Sequence, residues 1–372
     1  MHVTVDARYF RKQPSGLGEY TKALVERMPG LAPDARFTLW VSPTAPVRPV
    51  SSHPNVREQV VEPGPNGLTT LVAPSRLGDL RGTDLFHEPF NIMGRGIRCP
   101  TVVTVHDLMW VIDPTLIGAF TWMTVPQWLY YRTGALHALR HATRVVTDSQ
   151  ASADWILKYV PAARPRLHVI PIAAHSRFAP PADPVAARAR AAELVGDARP
   201  YMLVVGRNGK YKWHEGAVRA LAGLRDRDAL LVLVQRLDQG GPLGRLAREL
   251  GVEKRIRWLE SQSEANIVTL MQCATALVQP SKIEGFGLPV LEAMACGTPV
   301  VASDTPALVE VAGGAALHVP RDVRALARAM DDVLADASLR ADLRLRGLAR
   351  AAQFSWDRTA RETLAVYREA LA

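Results

Sequence analysis

PSKIEGFGLPVLEAMACGTPVVASD, residues 280–304, carries the clearest folding signal in this sequence. The run before it, ATALVQP (274–280), is short, apolar and bounded by proline, which is typical of a strand buried on both faces. The two glycines of EGFG permit backbone angles that other residues avoid. We therefore predict a helix that begins near Leu288, ends at a left-handed Gly297 and leads into a strand, VVAS. This strand, loop, helix and strand form the repeating unit of a parallel sheet.

Two carboxylates, Glu284 and Glu292, flank this turn and the start of the helix. In such units, ligands bind outside the carboxyl ends of the strands, and the N–H groups at a helix start attract anions. Two carboxylates would repel a phosphate. If both glutamates bind a ligand, we therefore expect them to accept hydrogen bonds from neutral hydroxyl groups, while cations from another part of the chain bind the phosphate. That combination suits a nucleotide sugar. Alternatively, Glu292 is a surface residue and Glu284 is a charge favoured by the helix dipole.

Length and composition describe a globular protein. The 372 residues are enough for about two domains of roughly 150 residues. No apolar run approaches the length of a membrane-spanning helix, and the first residues, MHVTVDARYF, predict a strand and not a signal peptide. Cys99, Cys273 and Cys296 are odd in number and widely spaced, which indicates neither a disulfide framework nor a zinc site. We expect a cytoplasmic protein.

The formal net charge of +9 allows nucleic acid, an anionic membrane or phosphorylated substrates as partners. The basic residues are scattered, however, and no helix-turn-helix, zinc-finger or RNP signature is present. We therefore expect no nucleic acid partner.

Short apolar runs alternate with longer amphipathic ones through most of the chain, which is typical of parallel sheets covered by helices. The alternation lapses in a Pro- and Ala-rich segment, where we place a linker at about residues 178–183. It resumes with YMLVVG, ALLVLV, RIRWLE, ATALVQP, PVVAS and AALHVP. The pattern predicts two tandem doubly wound α/β domains, residues 1–178 and 179–355.

The final segment, FSWDRTARETLAVYREALA, predicts a helix that packs on a domain. The face that we expect to be buried comprises Trp356, Ala360, Thr363, Leu364 and Tyr367.

With this organisation, the sequence resembles the retaining glycosyltransferases of family 4 over nearly its whole length. The resemblance is carried by EGFGLPVLEAMACGTPVVASD with its two glutamates, VVGRNGKYK, PSGLGEYTKAL, TVHDL and FSWDRTA. It implies the GT-B fold, in which two Rossmann-like domains face each other across a cleft. It also implies that the helix of residues 356–372 returns to the N-terminal, acceptor-binding domain, while the C-terminal domain binds the donor.

Two cations follow the strand YMLVVG, where a loop at the strand's carboxyl end can reach a ligand. The resemblance implies that Arg207 and Lys212 grip the donor diphosphate, the first as a planar fork and the second as a point charge. The alternative is a solvated basic loop, because Lys210 lies between them.

The resemblance also assigns roles to the opening stretch. It implies that Glu284 orients hydroxyls of the transferred sugar and that Glu292 holds the ribose. The N–H groups near the helix start complete the donor site, at Phe286, Gly287 and Leu288.

The loop SGLGEY in the first domain contains Gly16 and Gly18. A lone G-x-G is a weak signal, and Thr21 stands where a dinucleotide-binding loop has its third glycine, which argues against a nicotinamide cofactor. The resemblance implies that this loop approaches the diphosphate or the acceptor, where only glycine leaves room. Gly16 is the first choice.

His106 and Asp107 follow the apolar run TVVTV. A lone histidine is more often structural, but the resemblance implies that this one contacts the transferred sugar. His87 and Asp107 are weaker, acceptor-side candidates. Ser149 either lines the cleft or, as we favour, caps the next helix. The acidic residues of DRD, 226–228, predict a turn and not a metal site.

Five aromatic residues with basic neighbours cluster in the first domain: Trp110, Trp122, Trp128, Tyr130 and Tyr131. They either fill the core and the acceptor-side wall, which their helical spacing favours, or form a surface toward a membrane or a lipid-linked acceptor.

Together with the resemblance, which implies retention at the anomeric carbon, these features predict a metal-independent hexosyltransferase without a cofactor. It would move a sugar from a nucleotide diphosphate sugar to a hydroxyl of a saccharide or lipid-linked saccharide, in polysaccharide or glycoconjugate biosynthesis. Resemblance to bacterial polysaccharide and O-antigen mannosyltransferases favours GDP-mannose. The alternatives are a UDP-sugar donor, a UDP-sugar epimerase, a non-catalytic sugar-nucleotide-binding protein and a nicotinamide dehydrogenase. The enzyme would be cytoplasmic, with peripheral contact at the inner face of an anionic membrane left open.

Overall fold

The computed structural model describes residues 1–10, 16–45, 50–62, 64–116, 124–206, 209–235, 241–260 and 262–372. The predicted site residue Arg207, and Trp122 of the aromatic cluster, therefore fall outside the described residues.

The chain forms two compact units. Among the described residues, the first unit holds 1–115, 124–172 and 355–372, and the second holds 173–354 together with Leu116. The second unit thus begins a few residues before the predicted domain limit at 178. Phe178 is only 8% exposed and packs in the core of the second unit, so it is not part of a linker.

Strands and helices alternate in both units. The strands of the described residues are β1 His2–Asp6, β2 Arg36–Val41, β3 Val56–Val60, β4 Leu85–Glu88, β5 Thr101–Thr104, β6 Arg144–Thr147, β7 Leu167–Val169, β8 Tyr201–Val205, β9 Leu230–Val234, β10 Ile256–Leu259, β11 Ala276–Gln279, β12 Val300–Ser303 and β13 Leu317–Val319. The α-helices of the described residues are α1 Gly16–Leu31, α2 Leu68–Val72, α3 Met109–Ile112, α4 Val125–His141, α5 Gln150–Tyr159, α6 Pro184–Val195, α7 His214–Gly223, α8 Pro242–Glu249, α9 Glu264–Cys273, α10 Leu288–Cys296, α11 Pro306–Ala312, α12 Val323–Ala335, α13 Ala337–Ala351 and α14 Trp356–Leu371.

Every strand pair in both sheets is parallel. The first sheet has the order β3-β2-β1-β4-β5-β6-β7, and the second has the order β10-β9-β8-β11-β12-β13. In each sheet the strand order reverses beside the first strand, between β1 and β4 and between β8 and β11. The predicted class of two doubly wound α/β domains is confirmed. In such sheets the crevice at the point of reversal is the usual ligand site.

The second sheet is buried on both faces, which explains its continuous apolar strands. In β8, Met202 and Val204 pack into one hydrophobic cluster, whereas Tyr201 and Leu203 pack into the cluster on the opposite face. All six strands predicted for this part of the chain are present.

The helix α14 belongs to the first unit, although the whole second unit precedes it in the chain. Its predicted face is buried, with Thr363 and Tyr367 fully inaccessible. Thr359 Oγ1 donates to the carbonyl oxygen of Pro171 at 2.7 Å, and Arg27 Nε of α1 lies 3.2 Å from Asp357 Oδ1. Within the described residues, every helix falls short of what a membrane-spanning segment requires.

Candidate active site

Two of the predicted site residues meet at the reversal point of the second sheet. Lys212 follows β8 and Glu284 follows β11, the two strands between which the order reverses. Lys212 Nζ donates to Glu284 Oε1 at 2.7 Å, and the two side chains are only 10% and 7% exposed. Gly206 has a φ of 136°, which other residues rarely adopt, and an added Cβ there would be in ordinary contact with Lys212 Cε at 3.6 Å. The sequence signals therefore converge on one buried ion pair.

Two neutral side chains also bind the same carboxylate oxygen. Gln279 Nε2 donates to Glu284 Oε1 at 2.7 Å, and Ser281 Oγ donates to it at 2.6 Å. We did not predict either residue, although a glutamine at the end of the apolar strand ALVQ was an available signal. Three donors converge on one oxygen of Glu284, which holds its carboxyl group in a fixed orientation.

The turn that carries Ser281 is anchored from β12. Ser303 Oγ and Thr305 Oγ1 donate to the carbonyl oxygen of Ser281 at 2.5 and 2.7 Å. These hydroxyls satisfy a buried backbone acceptor, which fixes the loop between β11 and α10. Sequence reasoning missed them because serine and threonine after a strand are common turn residues.

The helix α10 begins at Leu288 and ends at a left-handed Gly297, as predicted. Its N-terminal cap is Gly287, which has a φ of 100° and no side chain to cap the helix N–H groups. An added Cβ at Gly287 would lie 2.4 Å from Leu308 Cδ2, so this position needs glycine for both conformation and space. Phe286 is buried and packs edge-on against Phe354, with ring centroids 6.0 Å apart. The loop therefore presents an uncapped helix start beside the Lys212–Glu284 pair.

Glu292 lies on α10, one turn beyond its start, and is half-buried. Its contact with a ribose stays a prediction.

A buried histidine lies directly after Lys212 in the chain. His214 Nδ1 lies 2.7 Å from Gln235 Oε1, and burial lowers the pKa of His214 to about 4. The ring is therefore neutral at physiological pH, and Nδ1 donates to the glutamine oxygen. A neutral ring avoids a second positive charge beside Lys212. Neither residue was predicted.

In the first unit, His106 lies at the end of β5 among protein acceptors. Its Nδ1 is 2.6 Å from Asp148 Oδ2 and its Nε2 is 3.2 Å from the carbonyl oxygen of Pro89. Burial by itself lowers the pKa of His106, but the charge and hydrogen bond of Asp148 outweigh it and the net pKa is raised. Asp107 Oδ1 accepts from the N–H of Met109 at 3.0 Å.

His87 lies in the core and not at a surface, so we do not retain it as an acceptor-side residue. Its side chain is fully buried at the end of β4. Its Nδ1 is 2.6 Å from Tyr367 Oη of α14, and its Nε2 is 2.9 Å from Thr104 Oγ1. A strand-end position alone could not reveal that α14 covers this histidine. His87 instead joins α14 to the first sheet.

The burial of His87 predicts a pH dependence of stability. Burial, followed by the nearby charge of His106, lowers the pKa of His87 from 6.5 to about 3. Between these values the unfolded chain binds a proton that the folded chain excludes, so the free energy of unfolding decreases as the pH falls below about 6.5. We expect His87→Gln to reduce this slope by about 1.4 kcal/mol per pH unit in urea denaturation between about pH 4.5 and about pH 6. An unchanged slope would contradict a neutral, buried His87.

Other first-unit predictions have mixed outcomes. Gly16 is exposed at the start of α1, and an added Cβ would meet nothing within 4 Å, so the described residues give no packing reason for glycine there. Gly18 is buried in α1. Any role of either glycine toward a ligand stays a prediction. Ser149 caps α5, its side chain accepting from the N–H of Ser152, as favoured from sequence.

The aromatic residues that are described are half-buried on the first unit. Trp110 and Tyr131 stack with centroids 4.9 Å apart, and Tyr130 Oη donates to the carbonyl oxygen of Pro65 at 3.0 Å. Arg132 lies over the ring of Trp128. These contacts show that the aromatic cluster packs on the unit.

The predicted turn at DRD is confirmed, since Asp226 Oδ1 accepts from the N–H groups of Asp228 and Ala229 at 2.8 and 3.2 Å. Within the described ranges, no group of three or more His, Cys, Asp or Glu side chains could hold a metal ion.

Comparisons with known proteins identify the family. The family described as Glycosyl transferases group 1 matches residues 186–349. The D-inositol 3-phosphate glycosyltransferase of Salinispora arenicola is 32% identical over 366 residues, which are 87% of this chain and 80% of that protein. The chain is a group 1 glycosyltransferase.

A second relative of this glycosyltransferase is the MMP alpha-(1->4)-mannosyltransferase of Mycolicibacterium hassiacum, 31% identical over 283 residues. The match covers 73% of this chain and 66% of the relative, just under two thirds of its length. The sucrose-phosphate synthase of Thermosynechococcus elongatus superposes with a TM-score of 0.75 at 22% identity, covering 99% and 98% of the two chains. The glycosyltransferase therefore has the GT-B fold, and the predicted resemblance is confirmed.

Proposed function

We propose that this glycosyltransferase moves a sugar from a nucleotide diphosphate sugar to a hydroxyl of a saccharide or lipid-linked saccharide, with retention at the anomeric carbon. The observation that carries the proposal is the buried Lys212–Glu284 pair at the reversal point of the second sheet. A cation, an ionised carboxylate and an uncapped helix start lie together there, which suits a ligand with both phosphate and hydroxyl groups.

The proposed chemistry needs negative charge to be stabilised on the departing diphosphate. Lys212 and the N–H groups of the α10 start provide donors that are already oriented before the reaction, which lowers the barrier most. Arg207 is proposed as a further cation for the diphosphate. Glu284 accepts from hydroxyls of the transferred sugar. The acceptor attacks the anomeric carbon from the face that the diphosphate leaves, and a phosphate oxygen takes the acceptor's proton. No metal ion takes part in this scheme.

We propose GDP-mannose as the donor, supported by the mannosyltransferase name of the Mycolicibacterium relative. A UDP-sugar is the alternative, because the sequence motifs that bind the diphosphate do not specify the base.

Calorimetric titration with GDP, UDP, ADP and dTDP tests the proposal. We expect one diphosphate to bind at about micromolar strength, and Lys212→Ala to weaken this binding by about tenfold or more, the effect of one charge-assisted hydrogen bond. Lys210→Ala is the matched control, because Lys210 is an exposed lysine of the same short turn. If no diphosphate binds, or if the two variants bind equally, the donor site is wrong.

Product analysis then separates the remaining alternatives. The donor is a nucleotide diphosphate sugar with the base that binds in the titration. A transferase links its sugar to the acceptor, and NMR can assign the anomeric configuration of the product. An epimerase would convert a UDP-sugar without an acceptor, and a non-catalytic protein would bind the nucleotide without turnover.

A further inference from the structure

We propose that Asp148 is a positioning residue that keeps the His106 imidazole doubly protonated, so that His106 is a fixed cation of the first unit and not a base. Its role in transfer rests on the function proposed above, whereas the protonation state is argued from the contacts of the ring and does not depend on that function.

The geometry of the ring favours two N–H donors. His106 Nδ1 faces the Asp148 carboxylate at 2.6 Å, and Nε2 faces the Pro89 carbonyl oxygen at 3.2 Å. A neutral imidazole has one N–H group and one nitrogen with a lone pair. If Asp148 is ionised, the lone pair of that second nitrogen would point at an oxygen that can only accept a hydrogen bond. Only the imidazolium satisfies both oxygens.

The opposite arrangement would place the proton on Asp148 and leave His106 neutral. The His106 ring is the better site for the proton, because its second nitrogen also faces an oxygen acceptor, the Pro89 carbonyl. The pKa of His106 is raised further, since the charge and hydrogen bond of Asp148 outweigh burial. A salt bridge between the two side chains is therefore the stable form.

Burial makes the two charges depend on each other. Asp148 is only 2% exposed, and its second oxygen, Oδ1, has no hydrogen-bond partner in the part of the chain that the structure describes. An isolated buried carboxylate is costly, so the imidazolium is what stabilises its charge.

The titratable groups around the His106 ring favour a positive charge on His106 and on no neighbouring histidine. Asp107, next in the chain, also raises the pKa of His106, whereas His87 from β4 is neutral because its own pKa is lowered to about 3. Tyr20 of α1 packs edge-on against the imidazole at 4.6 Å, and burial raises the pKa of its hydroxyl. No neighbouring group named here competes for the proton.

The backbone of His106 is also fixed. Asn91 Oδ1 accepts from the His106 N–H at 2.7 Å, and Asn91 adopts a φ of 41°, which is uncommon for a residue other than glycine. The surrounding structure over-determines this conformation, as it often does at functional sites.

The consequence for the reaction is a division of roles. A histidine that is already protonated cannot take the proton of the acceptor hydroxyl. In the proposed transfer, that proton goes to the departing phosphate, and the positive charge of His106 is available to stabilise negative charge on a substrate bound at the first unit.

NMR titration of the histidine ring nitrogens in the full chain tests the protonation state. The His106 signals are assigned from their loss in His106→Gln. We expect both nitrogens to be protonated at about pH 7 and the ring to titrate above about 6.5. In Asp148→Asn, which retains an oxygen acceptor but not the charge, the ring is expected to titrate at lower pH. A neutral His106 ring in the wild type would overturn the inference, even if Asp148→Asn did not fold.

Turnover measurements test the role in transfer. We expect Asp148→Asn to lower kcat by about ten- to a hundredfold with little change in the donor KM. The wild-type kcat should fall as the pH rises through the His106 pKa, and this fall should move to lower pH in the variant. Asp154→Asn is the control, an exposed acid on α5 bonded to Gln150. If no donor is turned over but the ring is an imidazolium, the proposed function fails and the assignment of the ion pair stands.

Discussion

Glu284→Gln is expected to lower kcat by about a thousandfold, the scale of losing one preorganised electrostatic group in an active site. Glutamine keeps the shape and one oxygen that can accept from Gln279 and Ser281, but it removes the charge opposite Lys212. A buried lysine without its counter-charge then tends to lose its own proton. The proposed site would therefore lose both the acceptor for sugar hydroxyls and a cation for the diphosphate.

Comparison with Glu284→Ala separates catalysis from folding. Alanine removes the acceptor of three buried donors, so we expect it to lower the free energy of unfolding by about 3–5 kcal/mol, whereas glutamine costs less. Glu249→Gln, an exposed glutamate on α8, is the matched control and should leave kcat unchanged. Initial rates with saturating donor, together with thermal unfolding, measure both effects. A folded Glu284→Gln variant with near-normal kcat would remove Glu284 from the mechanism.

Gly287→Ala is expected to lower the free energy of unfolding of the second unit by about 3 kcal/mol, from backbone strain plus overpacking. Its φ of 100° is unfavourable for alanine, and the new methyl group would lie 2.4 Å from Leu308, which is fully buried. The melting temperature should fall by roughly 6–12 °C for a unit of this size. Because the loop must shift, kcat/KM for the donor should fall as well.

Gly196→Ala isolates the conformational part of this effect. Gly196 caps α6 with a φ of 69°, and an added Cβ would meet nothing within 4 Å. Its cost should be only about 1 kcal/mol. The clash is tested by adding Leu308→Ala to the Gly287→Ala variant, where the two losses should be less than additive. Equal losses for the two glycine variants would show that Leu308 does not matter.

The second sheet was predictable because its strands are buried on both faces. The central strands, such as β9 with the sequence LLVLV, are short continuous apolar runs. The strand β3, with the sequence VREQV, was not predicted, because it is an edge strand with half-exposed and exposed side chains. The limit of the first unit was also misplaced, since Phe178 follows a polar segment but packs into the second core.

At the candidate site, sequence indicated the residues that carry charge. Lys212 and Glu284 each follow a buried strand, and parallel topology brings such ends together. The residues that orient them were missed: Gln279, Ser281 and Ser303 are neutral, and their role depends on contacts between strand ends far apart in sequence. The prediction of His87 as an acceptor-side residue was wrong, because α14, a helix from the end of the chain, covers this histidine.

That helix also affects how the protein is made. The side chains of Trp356, Leu364 and Tyr367 complete the core of the first unit, yet they are translated only after the whole second unit. While the ribosome synthesises residues 173–354, the nascent first unit lacks one of its core helices. The second unit, by contrast, is nearly continuous and can fold as soon as it emerges. We infer that the unit synthesised first is the last to reach its native core, in contrast to the usual N-terminal-first order.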